Sequence, residues 1–328
     1  MATFDGFLIR DSLNDDGRVP SPGYPYSSPD VISHAQVADP SGFFSGNYST
    51  DPSQPIHLGS RLNPIYVRAK NLSANPLSGH YVSVYRASPS LFLRPSLWSG
   101  NPLTTRAGET SVALPATVPS GGIGVGQDCF LLDAVNSNLF CLVGIVSATK
   151  HPVIPADFAT YSDYIEWVRA SQNVCGRNLN KVQDFPNRSW EEPKTFSNPS
   201  ADSVPTLFKV TTSGLPAGSS FGLQCVPLGV STNWPISAGP VQTASGMTPA
   251  HFNGYVVTWG LLPAGVKWPP GASIETKVYV GEDRDGPVAH LAVSLDELGL
   301  TRYDEVEGLP EDGILVLLGS CKTEFVRS

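Results

Sequence analysis

His34, His57, His80, His151, His251 and His290 are the first residues to test for chemistry, and they stand apart in the chain. No His-x-x-x-His or His-Glu-x-x-His spacing sets two imidazoles on one helix face for a metal. No Gly-x-Ser-x-Gly elbow presents a nucleophile. The glycines of Ser120-Gly-Gly-Ile-Gly-Val-Gly miss the spacing of a phosphate cradle. The sequence therefore names no catalytic residue and no cofactor, and no enzyme is expected. Asp11, Asp15 and Asp16 before Gly17 also miss the calcium-loop spacing and read as a polar turn. In Glu282-Asp283-Arg284-Asp285-Gly286, Asp283 and Asp285 with nearby carbonyls are candidate calcium ligands. The alternative is a hairpin turn whose aspartates bond their own backbone.

Cys129, Cys141, Cys175, Cys225 and Cys321 are odd in number and show no Cys-x-x-Cys, so a zinc site is not expected. Cys129 and Cys141 flank a hairpin turn near Asn136–Asn138 and can face each other as a disulfide; buried thiols are the other reading. The second half of the chain is rich in aromatics. Trp234, Tyr255, Trp259 and Trp268 are candidate binding residues, as a stacking surface for sugar or an anchor for a protein. Packing in a core is the competing role for the same rings.

The elements that must position these residues are strands. In Leu62–Arg86, Ile65, Val67 and Ala69 alternate with Tyr66, Arg68 and Lys70, and Val82 and Val84 alternate with Tyr81, Ser83 and Tyr85. Period-two alternation marks strands with one buried and one wet face. Val67 and Val84 are expected in one core. Val31–Val37, Val112–Val118, Cys129–Leu132 and Leu139–Val146 continue the pattern. Phe43 and Phe44 read as a loop plug for the end of the core. Pro155–Ala170 changes period: Phe158, Tyr161, Ile165 and Val168 predict a helix, with Asp157 as its cap. Residues 185–205 carry four prolines and little periodicity, the composition of a semi-rigid linker. Beyond it, strands are expected at Leu207–Val210, Phe221–Val226, Val256–Trp259, Ile274–Val280, Val288–Val293 and Ile314–Leu318. Ser294 and Glu297 fit a capping box for a short helix. The expected fold is all-β: two tandem immunoglobulin-like β-sandwiches, residues 1–184 with an N-terminal arm and residues 206–328, joined by 185–205, with one or two short helices.

Totals set the outer bounds. The 328 residues suffice for two domains, and 41% hydrophobic against 15% charged residues excludes a disordered chain. A net charge of −8 without a dense basic cluster argues against nucleic acid as partner. The apolar region Cys129–Ala148 is broken by Asp133, Asn136 and Asn138, so no membrane span is expected. The N-terminus lacks the basic and apolar regions of a signal peptide. The expected location is the cytoplasm, or outside the cell by a route without a cleaved signal.

Asn63-Pro64-Ile65-Tyr66-Val67-Arg68-Ala69-Lys70-Asn71 resembles a Tyr-Val-Arg strand of bacterial immunoglobulin-like, CARDB-like modules. Leu142–Val146 and Gly176–Leu179 resemble later strands of such modules, so the likeness covers residues 30–184. It implies spacing, docking or surface recognition, and no catalytic residue. The expected function is that of a non-catalytic interaction protein, an accessory of a bacterial assembly or toxin system that binds a partner protein. The alternative is binding of carbohydrate or a cell-surface glycan.

Overall fold

The computed structural model describes residues 2–23, 26–57, 62–133, 141–179, 181–182, 187–302 and 305–326. The chain forms two compact units. Unit 1 comprises Met1–Ser88, Arg94–Asp157 and Trp167–Asn180; unit 2 comprises Pro89–Leu93, Phe158–Glu166 and Lys181–Ser328.

Unit 1 is a β-sandwich. One sheet centres on β3 (Asn63–Asn71), which pairs with β1 (Phe7–Leu8) and β2 (Val31–Ser33), and with β6 (Ile123–Val125) and β7 (Phe130–Leu132). The other runs β9 (Val174–Asn178), β8 (Cys141–Ser147), β4 (Tyr81–Ala87), β5 (Val112–Ala113), all antiparallel. Ile65, Val67 and Ala69 from the first sheet and Val82, Val84 and Leu142 from the second share one core. The expected burial of Val67 and Val84 holds.

The expected wet face of β3 does not. Tyr66 and Arg68 are as deeply buried as Val67. Residues 30–50 cover them, including helix α1 (Pro40–Gly46), which Asp39 caps by accepting from Gly42 N–H. Phe44 packs on Tyr66, with ring centres 4.8 Å apart. The Arg68 guanidinium donates to Asp30 Oδ1 at 2.7 Å and to the carbonyls of Phe44, Asn47, Pro29 and Thr50. Arg10 also donates to Asp30 and lies over the Tyr48 ring. A buried charge survives only when paired and hydrogen-bonded, and here every donor of a long side chain is used to tie down a loop. Phe43 and Phe44 thus lie on a helix rather than in a loop, with Phe44 as the plug.

Unit 2 is a second sandwich. One sheet has the order β15 (Val241–Thr248), β11 (Val204–Ser213), β17 (Ser273–Glu282), β18 (Ile314–Val326). The other has β10 (Ser189–Ser197), β16 (Asn253–Leu261), β12 (Ser220–Cys225), β13 (Val230–Ser231), with β14 (Trp234–Pro235) also on β12. Phe196 against Phe208, at 5.6 Å, and Thr258 Oγ1 against Thr276 Oγ1, at 2.7 Å, join the two sheets.

Residues 189–197, expected as linker, are therefore a strand. β10 pairs with β16 from Ser189 opposite Leu261 to Ser197 opposite Asn253. Its proline is compatible because of direction. Thr195 N–H points away from β16, to Pro89 O. Residue i−2 points its nitrogen the same way, so Pro193 removes no donor from the β16 ladder. Glu192 and Lys194 alternate inward with the exposed Glu191 and Pro193. Lys194 Nζ stands 3.2 Å from Glu192 Oε2 without hydrogen-bond geometry, and Glu192 accepts from Thr323 Oγ1 at 2.9 Å.

Other expectations shift locally. The helix expected over 155–170 is α2 (Tyr161–Ala170). Asp157 does not cap it: its carboxylate accepts from Ser96 N–H and faces Arg94. Val288–Val293 holds a 3-10 turn at Ala289–Leu291 instead of a strand, because short-range bonds such as Leu291 N to Val288 O take up its backbone. The N-cap half of the expected capping box is seen: Ser294 Oγ accepts from Glu297 N–H at the start of α3 (Leu295–Leu298), and Gly299 closes the helix in the left-handed region. The turn expected near Asn136–Asn138 lies outside the described residues. No described helix is long and apolar enough to cross a membrane.

Candidate functional site

The alternation of β16 sorts its side chains between two faces. Val256, Thr258 and Gly260 point into the sandwich and are buried. Tyr255, Val257, Trp259 and Leu261 occupy the other face, and Tyr255 is 61% exposed. An outward row on an antiparallel sheet is ordinarily polar; this one is apolar at four successive positions. Register places Thr195, Pro193, Glu191 and Ser189 of β10 beside them on one side. Gln224, Gly222 and Ser220 of β12 lie on the other. The result is an apolar row with Pro193 at its flank and Glu191 and Gln224 as an exposed polar rim.

Gly222 sets the geometry of the row. It faces Trp259 across the β12–β16 ladder. A Cβ at Gly222 would lie 2.5 Å from Trp259 Cζ2 and 2.3 Å from Thr232 O. Only glycine lets the indole rest on the backbone of β12, which half-buries Trp259 and fixes its plane.

The four aromatic candidates thus divide. Tyr255 and Trp259 share the outer face. Trp268 does not: it is 5% exposed, stacked on Phe325 at 3.9 Å, and its Nε1 donates to Asn187 O. Its packing against the position of Gly260 makes it core. Trp234 pairs with Phe221, which faces inward, and its ring sits 5.7 Å from that of Phe221. Sequence reasoning missed Val257, Leu261 and Pro193. The signal was available as a second apolar series interleaved with Val256 and Thr258.

The remaining candidates separate as well. All five cysteines are buried thiols rather than disulfide halves. Cys129 packs in a small cluster with Tyr66 and Phe44, while the Cys141 thiol donates to Asn178 Oδ1 at 2.8 Å. Burial pushes the Cys129, Cys175 and Cys225 thiols up, away from the nucleophilic thiolate. Asp283 and Asp285 are exposed on a turn closed by Gly286 N–H to Asp283 O. Asp283 lines a cleft of about 450 Å³ with Asp202 and Glu282. Burial pushes the Glu282 carboxyl up, offset in part by the hydrogen bond from Ser162 Oγ at 2.7 Å. Among the described residues, no three His, Cys, Asp or Glu side chains gather closely enough to hold a metal.

No family model and no curated protein matches the chain, so the resemblance of residues 30–184 to a CARDB-like module gains no support there. Solved structures give faint likenesses. A red sea bream transglutaminase is 9% identical with a TM-score of 0.20, over 84% of this chain and 30% of that one. The Enterococcus faecalis MSCRAMM ACE, described as binding its ligands by the collagen Hug model, is 8% identical with a TM-score of 0.19, over 83% of this chain and 92% of that one. The CupB6 tip adhesin of Pseudomonas aeruginosa is 9% identical with a TM-score of 0.18, over 84% and 94%. Scores this low leave both units to be argued from their own residues, which define a class: an all-β protein of paired sandwiches.

Proposed function

We propose that this chain is a non-catalytic binding protein whose working surface is the outer face of β16, and that its partner is a protein. The observation that carries the reading is the unbroken apolar row Tyr255, Val257, Trp259, Leu261 on the outer side of the sheet, with Tyr255 61% exposed. Interface cores are enriched in aromatics and depleted of charge, inside a polar rim. Val257 and Leu261 between and beyond the two rings, with Pro193 alongside, suit interdigitating side chains better than flat sugar rings. The absence of a local nucleophile or metal spacing in the sequence fits the same role. In this reading the chain serves as an accessory of a larger bacterial assembly, the setting that the resemblance of residues 30–184 implies.

The test uses the double substitution Tyr255→Glu and Val257→Lys, which places charge on an outward face and leaves the Trp259 seat intact. Affinity capture with parent and variant should recover one defined protein with the parent and lose it with the variant, at unchanged Tm. The affinity loss should exceed about 2 kcal/mol if the row is an interface centre. A partner retained by the variant, or selective glycan binding with no protein captured, would move the function elsewhere.

A further inference from the structure

Unit 1 holds a cavity of about 690 Å³ at the end of β3, where β2 and β7 flank that strand. Its size falls in the range of about 300–1,000 Å³ typical of small-molecule sites. One wall is prebuilt. His34 Nδ1–H donates to Ala35 O at 2.9 Å, which leaves Nε2 to accept from Gln54 Nε2 at 3.2 Å. Gln54 Oε1 accepts from Ala35 N–H at 3.0 Å. The ring of His34 rests against Phe43 and Phe44, 5.1 and 5.6 Å between centres. His34 and Gln54 are thereby largely spent on each other, and they act as a shaped wall.

Charge enters the lining at two described residues. Arg106 and Asp128 both line the cavity and both are exposed. Among the described residues, neither has an ion-pair partner. Asp128 is held in place by accepting from Cys129 N–H at 2.8 Å. Both charges act on one point, the Cys129 thiol, which Asp128 pushes up and Arg106 pulls down. Pro55, Pro64 and Leu131 add apolar surface to the same lining.

We propose that this cavity binds a short zwitterionic peptide, a di- or tripeptide with apolar side chains, whose carboxylate meets Arg106 and whose ammonium meets Asp128. A guanidinium and a carboxylate on one cavity match the two ends of such a molecule, and each contact is a charge-assisted hydrogen bond. Other classes fit less well. Among the described lining residues the one aromatic ring is the His34 imidazole, already engaged with Phe43, Phe44 and Gln54, and no Trp, Tyr or Phe offers a platform for a sugar. A phosphate would pair with Arg106 but leave the Asp128 carboxylate unmatched. The volume exceeds what a free amino acid would fill.

The experiment is calorimetric titration of the full chain with Leu-Leu. We expect saturable binding with Kd at or below about 1 mM. Arg106→Gln and Asp128→Asn should each weaken it about tenfold or more; both positions are exposed, so an unchanged Tm confirms the fold. The ligand series supplies the matching half. N-acetyl-Leu-Leu should bind the parent weakly and be indifferent to Asp128→Asn, while Leu-Leu amide should be indifferent to Arg106→Gln. Free leucine should bind more weakly than Leu-Leu. No saturable binding up to about 10 mM, equal binding of blocked and unblocked peptides, or affinity unaffected by both substitutions would overturn the assignment.

Discussion

Asp15 shows how a single carboxylate can carry a pH dependence into the whole fold. Its Oδ1 accepts from Gly17 N–H and its Oδ2 from Asp11 N–H. Burial and the neighbouring Asp11 nonetheless push its pKa up from 3.8 to about 6. The sign follows from proton counting. Below pH 3.8 the carboxyl is protonated in both the folded and unfolded chain and costs nothing. Between 3.8 and about 6 the folded chain holds a proton that the unfolded chain has released, so stability falls as pH rises. Above about 6 the cost is complete, on the order of 1–2 kcal/mol after allowance for solvent screening. The expected outcome is that Asp15→Asn gains in Tm relative to the parent as pH goes from about 4 to about 7, whatever its offset at low pH. A carboxyl-carbon NMR titration of Asp15 should show the elevated midpoint. A Tm difference flat across that range would refute the shift. None of this was legible in sequence, where Asp11, Asp15 and Asp16 read only as a polar turn: spacing reveals a ligand loop but not which carboxyl the fold will bury. The same limit hid Arg68, Glu192 and Lys194. Arg68 meets Asp30 and Glu192 meets Thr323 only through the fold, and Lys194 follows Glu192 inward two residues along the same strand.

Among the elements, strands that alternate cleanly were legible and strands defined by a neighbour were not. β3, β4, β16 and β17 announce themselves by period two, and all lie inside their sheets. β15 reads Val-Gln-Thr-Ala-Ser-Gly-Met-Thr, mostly small and polar, and occupies the edge next to β11, where few side chains need be buried. β10 was hidden by its prolines, which composition assigns to linkers but which the outward direction of the Pro193 nitrogen permits. On the candidate face, the lone glycine of Ser-Phe-Gly-Leu-Gln-Cys was the readable clue, since glycine inside a strand marks a close approach. Gly222→Ala tests that role. The new methyl collides with Thr232 O, a backbone atom that cannot rotate away, and with the Trp259 indole. Stability should fall by about 1–3 kcal/mol. Trp259 should be displaced from β12, with a red shift and greater quenching of its fluorescence by acrylamide, read in a protein whose other tryptophans are replaced. A variant with parental Tm and quenching would show that the indole does not rest on that backbone.

At the scale of the molecule, the chain passes between its two units five times, at Ser88, Leu93, Asp157, Glu166 and Asn180. A boundary drawn from sequence as one proline-rich stretch cannot express that, because composition reports where a chain lacks a core pattern and says nothing of where it returns. Two short excursions belong to unit 2. Leu91 N–H donates to Thr195 O and Thr195 N–H to Pro89 O, which extends the β10 edge. Phe92 packs on Tyr161 and Tyr164 at 5.3 and 4.8 Å, and Tyr161 Oη donates to Ser197 O. A fragment of residues 206–328 therefore lacks all of β10, the start of β11 and this aromatic cluster. It leaves one full edge of β16 unpaired and exposes Phe196's partner Phe208 to water. A core face stripped of its cover beside a newly opened, unprotected edge favours unfolding and edge-to-edge association. We expect 206–328 to show poor amide dispersion and no cooperative melt. Residues 187–328, which restore β10, should gain native-like dispersion but melt below the intact chain, because Phe92, Tyr161 and Tyr164 are still missing. Truncating a large core aromatic costs about 3–5 kcal/mol, so Phe92→Ala in the full-length chain should destabilise unit 2 by that order. A cooperative, well-dispersed 206–328 would show instead that unit 2 needs nothing from upstream, and that the sandwich closes without the strand whose register sets Tyr255 and Trp259 on one face.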